Sequence, residues 1–162
     1  MFLVKTYRTL WLNKIYQMSK VEDFLTKAEE LEIIEAIRVA EKSTSGEIRV
    51  HIEKETALSA MDRATEVFNT LEIYKTKDAN GVLIYVAVKS KKFAICGDKG
   101  INQVVPVDFW ESTKNTMESH FKNSNFKQGL VDGILSAGQQ LKKYFPFDDN
   151  DKDELSNEIS KG

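Results

Sequence analysis

The sequence predicts an α/β protein in which helices cover both faces of a central β-sheet. Amphipathic helical patterns and short strand-like runs follow one another in the order helix, strand, helix, strand, strand, helix, helix. The run 82–88 is almost continuously apolar, which is typical of a central strand that is covered on both faces. Because helices precede and follow the strands, we expect a three-layer α/β/α sandwich with the sheet in the middle.

The first half of this order has clear local signals. Thr26 and Glu29 have the spacing of a capping box, so the first helix begins after Thr26. Polar and apolar residues alternate strictly from 47 to 53, which predicts a half-buried strand with His51 on its polar face. Ser59 then opens a second helix, whose first turn contains Asp62.

The second half contains a predicted pair of antiparallel strands and two more helices. The apolar run 82–88 turns through 89–92 into the run 93–96. Asp108 and Glu111 have capping-box spacing and open the third helix. The last helix spans about 126–144. It contains three glycines, which are unfavourable in helices and therefore indicate close approach to another element.

Length and composition bound the class of protein. The chain has 162 residues, of which 41% are hydrophobic and 30% charged, as in ordinary single-domain globular proteins. The net charge of -2 argues against a nucleic-acid-binding protein, which would show a clustered basic face. One cysteine excludes an intrachain disulfide, and no apolar run reaches the roughly 18 residues that indicate a membrane span.

Three segments follow from this composition. We expect a loosely ordered N-terminal extension at 1–18, a single α/β/α domain at 19–146 and an acidic disordered tail at 147–162. The extension is basic and aromatic, so it could touch a membrane surface or a protein partner; alternatively, translation starts at Met18. In the tail, Asp149, Asp151 and Asp153 resemble the start of a calcium-binding EF-hand loop. The match fails because Glu154 and Ser160 stand at the sixth and twelfth positions, where that loop requires glycine and glutamate.

Most catalytic motifs are missing from the sequence. Asn102, not arginine, stands six residues after Cys96, so a cysteine-phosphatase loop is not supported, and we expect Cys96 to be a buried strand-end residue. The sequence has no GxxxxGK[ST] or GxGxxG motif for nucleotide phosphates and no HExxH or paired CxxC for zinc.

Carboxylates on glycine-bearing loops are the remaining candidates. If the strands 82–88 and 92–96 pair, the loop before the first and the loop after the second meet at one edge of the sheet. Carboxylate and amide oxygens are the ligands that calcium and magnesium prefer. The candidate ligands are Asp78, Asn80, Asp98, Asp108 and Glu111. The same side chains could instead make turn hydrogen bonds or cap a helix.

Four short motifs together resemble the TPM-domain family, which is named partly for a thylakoid acid phosphatase. They are SGEIRV at 45–50, NGVLI at 80–84, the loop 97–100 and NFKQGL at 125–130. The resemblance implies an α/β/α sandwich around a small mixed sheet, commonly four-stranded, with crossing loops that hold divalent metals, calcium especially. It places Asn80, Asp78 and Asp98 in those loops and Asp108 or Glu111 at the acidic start of the following helix.

The resemblance leaves two functions open. The first is a calcium-type metal-binding domain whose ion clamps the crossing loops, which could serve regulation, with magnesium as the alternative ion. The second is a metal-dependent phosphomonoesterase, because phosphatase activity has been attributed to some members of the family. Many members carry a signal peptide and a transmembrane or glycine-rich tail; this sequence shows neither, and we expect a stand-alone, monomeric, cytoplasmic protein.

Overall fold

The centre of the molecule is a mixed β-sheet with three long strands and a very short strand at each edge. The computed structural model describes residues 2–3 and 24–162. In space the strands lie in the order β1–β4–β3–β2–β5. β2 runs parallel to both β3 and β5, and β4 runs antiparallel to both β3 and β1. The strands are β1 (Phe2–Leu3), β2 (Glu47–Glu53), β3 (Gly81–Ala87), β4 (Lys92–Gly97) and β5 (Ser160–Lys161).

Helices cover both faces of this sheet, as the sequence predicts. The helices are α1 (Lys27–Glu41), α2 (Ala60–Thr70), α3 (Lys99–Asn102), α4 (Glu111–Lys122) and α5 (Phe126–Lys142), with a 3₁₀ turn at Ile73–Lys75. The side chains of α1, α4 and α5 share one apolar core with one face of the strands. The side chains of α2 share a second, smaller core with the opposite face. The three-layer α/β/α sandwich is therefore confirmed.

The predicted helix starts are confirmed at two of three positions. Thr26 Oγ1 accepts a hydrogen bond from Glu29 N at 3.2 Å, and Thr26 N donates to Glu29 Oε2 at 2.7 Å, which completes the capping box of α1. Ser59 caps α2 through Asp62 N. The capping box predicted at Asp108 is wrong, because α4 begins at Glu111 without a side-chain cap, after a turn in which Glu111 N donates to the Asp108 carbonyl.

The N-terminal extension predicted at 1–18 lies outside the described residues, except for the backbone of Phe2–Leu3, which pairs with Ala94 and Ile95 of β4. Over the described ranges, no helix is both long enough and apolar enough to span a bilayer.

The acidic segment 148–162, which we call the strap, lies against β2, although its composition predicts disorder. Its backbone pairs with β2 at Ser160 and Lys161, and Gly162 N donates to the Ile52 carbonyl at 3.1 Å. Arg49 Nη1 donates to the Ser156 carbonyl at 2.6 Å. The polar side chains of β2 supply partners for the strap backbone, and this face of β2 is buried instead of half exposed.

Candidate functional site

The acidic loop before β3 and the acidic loop after β4 meet, as antiparallel pairing of these strands predicts. Val82 lies opposite Gly97, so the residues before β3 and after β4 are neighbours. Asp98 N donates to the Gly81 carbonyl and Gly100 N donates to the Ala79 carbonyl, both at 2.9 Å. These backbone bonds hold the two loops at one edge of the sheet.

Each loop contributes a buried side-chain oxygen without a hydrogen-bond donor in the described part of the chain. Asn80 is 1% exposed; its Nδ2 donates to Ser45 O and Oγ, whereas its Oδ1 has no partner. Asp98 is 8% exposed; its Oδ1 accepts from Lys99 N at 2.7 Å, whereas its Oδ2 has no partner. A buried oxygen without a donor is unfavourable, and a hard cation is one partner that would satisfy it.

The other candidate ligands lie in more exposed places. Asp78 is exposed, and its carbonyl lies against Gly100, where an added Cβ would be only 2.3 Å away. Asp108 and Glu111 are also exposed, and the Glu111 carboxylate pairs with Lys114 at 3.0 Å. No described lysine or arginine pairs with Asp78 or Asp98. The side chain of Trp110, the residue before Glu111, lies next to Gly97, the residue before Asp98: a Cβ added at Gly97 would be 3.5 Å from the Trp110 ring.

An open cavity of about 780 Å³ adjoins the 76–80 loop. It is lined by Asp78 and by strap residues, among which Asp148, Asp149 and Asp151 are acidic. Burial raises the pKa of Asp151, and the nearby carboxylates of Asp148 and Asp78 raise it further. The strap therefore adds negative charge beside the loop that carries Asn80.

A second group of carboxylates, which the sequence did not predict, joins α1, β2 and the strap. Carboxylate oxygens of Glu41, Glu47 and Asp153 lie within 4.8 Å of one another. Burial raises the pKa of Glu41 to about 8 and that of Glu47 to about 7, and the neighbouring carboxylates add to both rises. Alternation along β2 is the only sequence signal here, because it places Glu47 on the polar face.

Another polar group lies at the C-terminal end of β2. Glu53 accepts hydrogen bonds from Arg63 Nε and Nη2 at 2.8 and 2.9 Å and from the Tyr85 hydroxyl. Burial alone would raise the pKa of Glu53, but these hydrogen bonds outweigh it and hold the pKa below its ordinary value. His51 Nδ1 lies 3.0 Å from Ser160 Oγ, and burial lowers the His51 pKa. The contact between His51 and Ser160 joins the strap to the sheet.

Cys96 is fully buried on the α2 side of the sheet, as its strand-end position predicts. Burial raises the pKa of its thiol to about 12, so the thiolate is scarce at neutral pH.

The fold, the joined loops and the matching of a family model place the chain in a known family. The model of the TPM domain matches residues 18–140, and the chain belongs to the TPM-domain family. No curated protein matches the chain.

Solved structures of similar proteins extend this finding. The BA42 protein from the psychrophilic bacterium Bizionia argentinensis, solved by NMR, is 60% identical with a TM-score of 0.84; the match covers 90% of this chain and 100% of that one. An N-terminal domain from P. gingivalis is 19% identical with a TM-score of 0.63, over 75% and 79% of the two chains. The N-terminal domain of the cg2496 protein from Corynebacterium glutamicum is 10% identical with a TM-score of 0.58, over 83% and 79%. The last two likenesses concern the fold alone.

Proposed function

We propose that this chain is a divalent-cation-binding domain whose ion joins the two loops at the end of the β3–β4 pair. The observation that carries the proposal is the pair of buried, donorless oxygens, Asn80 Oδ1 and Asp98 Oδ2, in loops that backbone hydrogen bonds hold together. Asp78 is a further carboxylate of the same loops, and it remains a proposed ligand together with Asp108 and Glu111.

Calcium fits this donor set better than a transition metal does. The available groups are carboxylate, amide and backbone carbonyl oxygens, which calcium accepts in flexible arrangements of six to eight ligands. Magnesium needs a smaller, stricter octahedron and usually keeps several waters. We therefore propose calcium as the preferred ion and magnesium as the weaker competitor.

Binding would change the loops by neutralising charge. An ion between carboxylates removes their repulsion and can bias the order of a mobile element, which is the action expected of a regulatory module. In the full chain, calcium at about 100 times its Kd is expected to raise the melting temperature by about 5–10 °C, since it binds only the folded state. Calorimetry and thermal melts with each ion measure this directly; the absence of both heat and shift would refute the proposal.

The substitution Asp98→Asn tests the site. Asparagine can still accept the Lys99 N–H that Asp98 Oδ1 accepts, so the local structure is retained while the charge is lost. We expect calcium affinity to fall on the order of tenfold or more, because ligand charge tunes calcium affinity strongly. Asp149→Asn is the matched control in the strap. Equal losses in the two variants would place the ion in the strap instead.

The alternative function is hydrolysis of phosphate monoesters with the help of the bound cation. Such an ion would polarise phosphate oxygens and activate water. Lys99 is exposed beside Asp98 and could steady the anion. Turnover of a generic phosphate ester that requires the metal and disappears in Asp78→Ala and Asp98→Ala would establish this activity. Turnover that survives both substitutions would come from another source.

A further inference from the structure

The strap is bonded to the loop that supplies Asn80. The Glu154 carboxylate accepts hydrogen bonds from Lys77 N at 3.1 and 3.2 Å. In turn, Glu154 N and Leu155 N donate to the two carboxylate oxygens of Glu47, at 3.1 and 3.3 Å. Two adjacent strap residues are thus bonded to the 76–80 loop and to the first residue of β2.

Glu47 contacts both the strap and Asn80. It is 3% exposed, and its side chain holds the strap while its backbone N donates to the Asn80 carbonyl at 3.4 Å. The side chain of Asn80 is oriented by Ser45, whose own backbone N donates to the Phe145 carbonyl at 3.0 Å. Two chains of hydrogen bonds therefore lead to Asn80. One runs from Glu154 and Leu155 of the strap through Glu47, and the other runs from Phe145, just before the strap, through Ser45.

The charges of the strap, like its hydrogen bonds, link it to the loop that carries Asn80. The cavity between the strap and the 76–80 loop is lined by Asp78 together with the strap carboxylates Asp148, Asp149, Asp151 and Glu154, against the cations of Lys77 and Lys152. Acidic strap residues raise the local concentration of cations at the loop, and a bound cation weakens the repulsion between loop and strap.

We propose that seating of the strap along β2 and cation binding at the Asn80–Asp98 loops are thermodynamically coupled, so that each strengthens the other. The inference rests on the proposed function. Thermodynamic linkage requires the coupling to be reciprocal: if the strap raises calcium affinity by a given factor, calcium stabilises the seated strap by the same factor.

The experiment uses calcium and the full chain, with variants of the strap. Leu155→Ala leaves the charge unchanged but removes a partly buried side chain that packs against the α2-side core. Glu154→Gln weakens the bonds to Lys77 N. We expect each to lower calcium affinity about fivefold or more, the lower end of usual coupling strengths. Leu58→Ala, at an exposed leucine, and Glu35→Gln, at an exposed carboxylate of α1, are the matched controls and should change the affinity about twofold or less.

A second measurement needs no variant. Amide hydrogen exchange at Glu154 and Leu155 should slow in the wild-type chain when calcium is added, by at least the factor by which the strap variants lose calcium affinity. If the wild-type chain binds calcium but exchange at both amides is unchanged and Leu155→Ala binds as tightly as wild type, the coupling is refuted and the binding site stands. If the wild-type chain binds no calcium, the proposed function fails, and the coupling fails with it.

Discussion

At Gly100 the two acidic loops approach more closely than a side chain would allow. A Cβ atom there would lie 2.3 Å from the Asp78 carbonyl oxygen and 2.6 Å from that of Ala79. Both neighbours are backbone atoms, and the Gly100 N–H is already bonded to Ala79. Glycine is required here because of the close approach, since its φ is not positive.

The substitution Gly100→Ala is therefore expected to separate the loops. We expect the free energy of unfolding to fall by about 1–3 kcal/mol, as in other overpacked sites, and calcium binding to weaken with it. Urea denaturation and calorimetry measure the two effects. Gly97→Ala is the matched control, because its Cβ would lie 3.5 Å from its nearest neighbours, an ordinary contact. A stability loss as large in Gly97→Ala would contradict the explanation.

Among the elements, α5 shows most clearly how glycine sets helix packing. Its glycines face neighbouring helices so closely that added Cβ atoms would meet Phe121 at Gly129, Met117 at Gly133 and Ala40 at Gly138. Glycine lowers helix stability by about 1 kcal/mol relative to alanine, so these positions favour tertiary contact over local propensity. The close approach that the sequence predicted for this helix is confirmed.

Gly138→Ala tests this balance. The new Cβ would lie 2.8 Å from Ala40 Cβ and 3.0 Å from Ala40 Cα, which belong to the rigid interface with α1. We expect a net loss of about 1–3 kcal/mol in unfolding free energy despite the better helix propensity of alanine. Gln139→Ala, at the exposed neighbouring position, should be nearly neutral. A stabilised Gly138→Ala variant would show that α1 and α5 can separate at little cost.

The elements were predictable where their signals are local. The capping box at Thr26, the strand at 47–53 and the long apolar run of β3 depend on residues near one another in sequence. Each of these elements is confirmed, although the polar face of β2 is buried instead of half exposed. The predicted start of α4 failed because Trp110 is 1% exposed, and burial of its ring with Phe109 competes with a cap at Asp108. Local capping preference is worth about 1 kcal/mol, less than burial of a large aromatic side chain.

For the whole molecule, the position of the strap changes the electrostatics of the sheet edge. Glu41 Oε1 of α1 accepts a hydrogen bond from Ile48 N at 2.9 Å, which lowers the Glu41 pKa, whereas the carboxylates of Glu47 and Asp153 raise it. The main cause of its raised pKa is burial. The strap contributes to this balance through Asp153, which raises the Glu41 pKa, and through Asn157, which lowers it.

This arrangement predicts a pH dependence of stability. The Glu41 pKa rises from 4.5 to about 8 on folding, so between these values the folded state keeps a proton that the unfolded state has lost. Its contribution to the free energy of unfolding therefore falls as pH rises through this window. Glu41→Gln should flatten that fall, as measured by urea denaturation at several pH values. Glu35→Gln, at an exposed site on the same helix, should leave the slope unchanged.

The sequence predicted the meeting of the two acidic loops but not the second carboxylate group, because only the loops are close together along the chain. Antiparallel pairing of β3 and β4 brings the loop that carries Asn80 to the loop that carries Asp98, and the short connection between the strands makes that pairing predictable from the sequence. The group formed by Glu41, Glu47 and Asp153 was not readable, because Asp153 reaches the other two only through the course of the strap.

The sequence by itself determined the four long helices, the three long strands, their layered arrangement and the meeting of the two acidic loops. Only the tertiary structure decided that the strap lies on β2, which buries Glu47, His51 and Glu53 and links the strap to the Asn80 loop. The physical reason is that a polar segment gains order when buried partners satisfy its backbone, here Glu47 for Glu154 N and Arg49 for the Ser156 carbonyl. The composition of the segment shows that it is polar, but it cannot show that the fold supplies hydrogen-bond partners for its backbone.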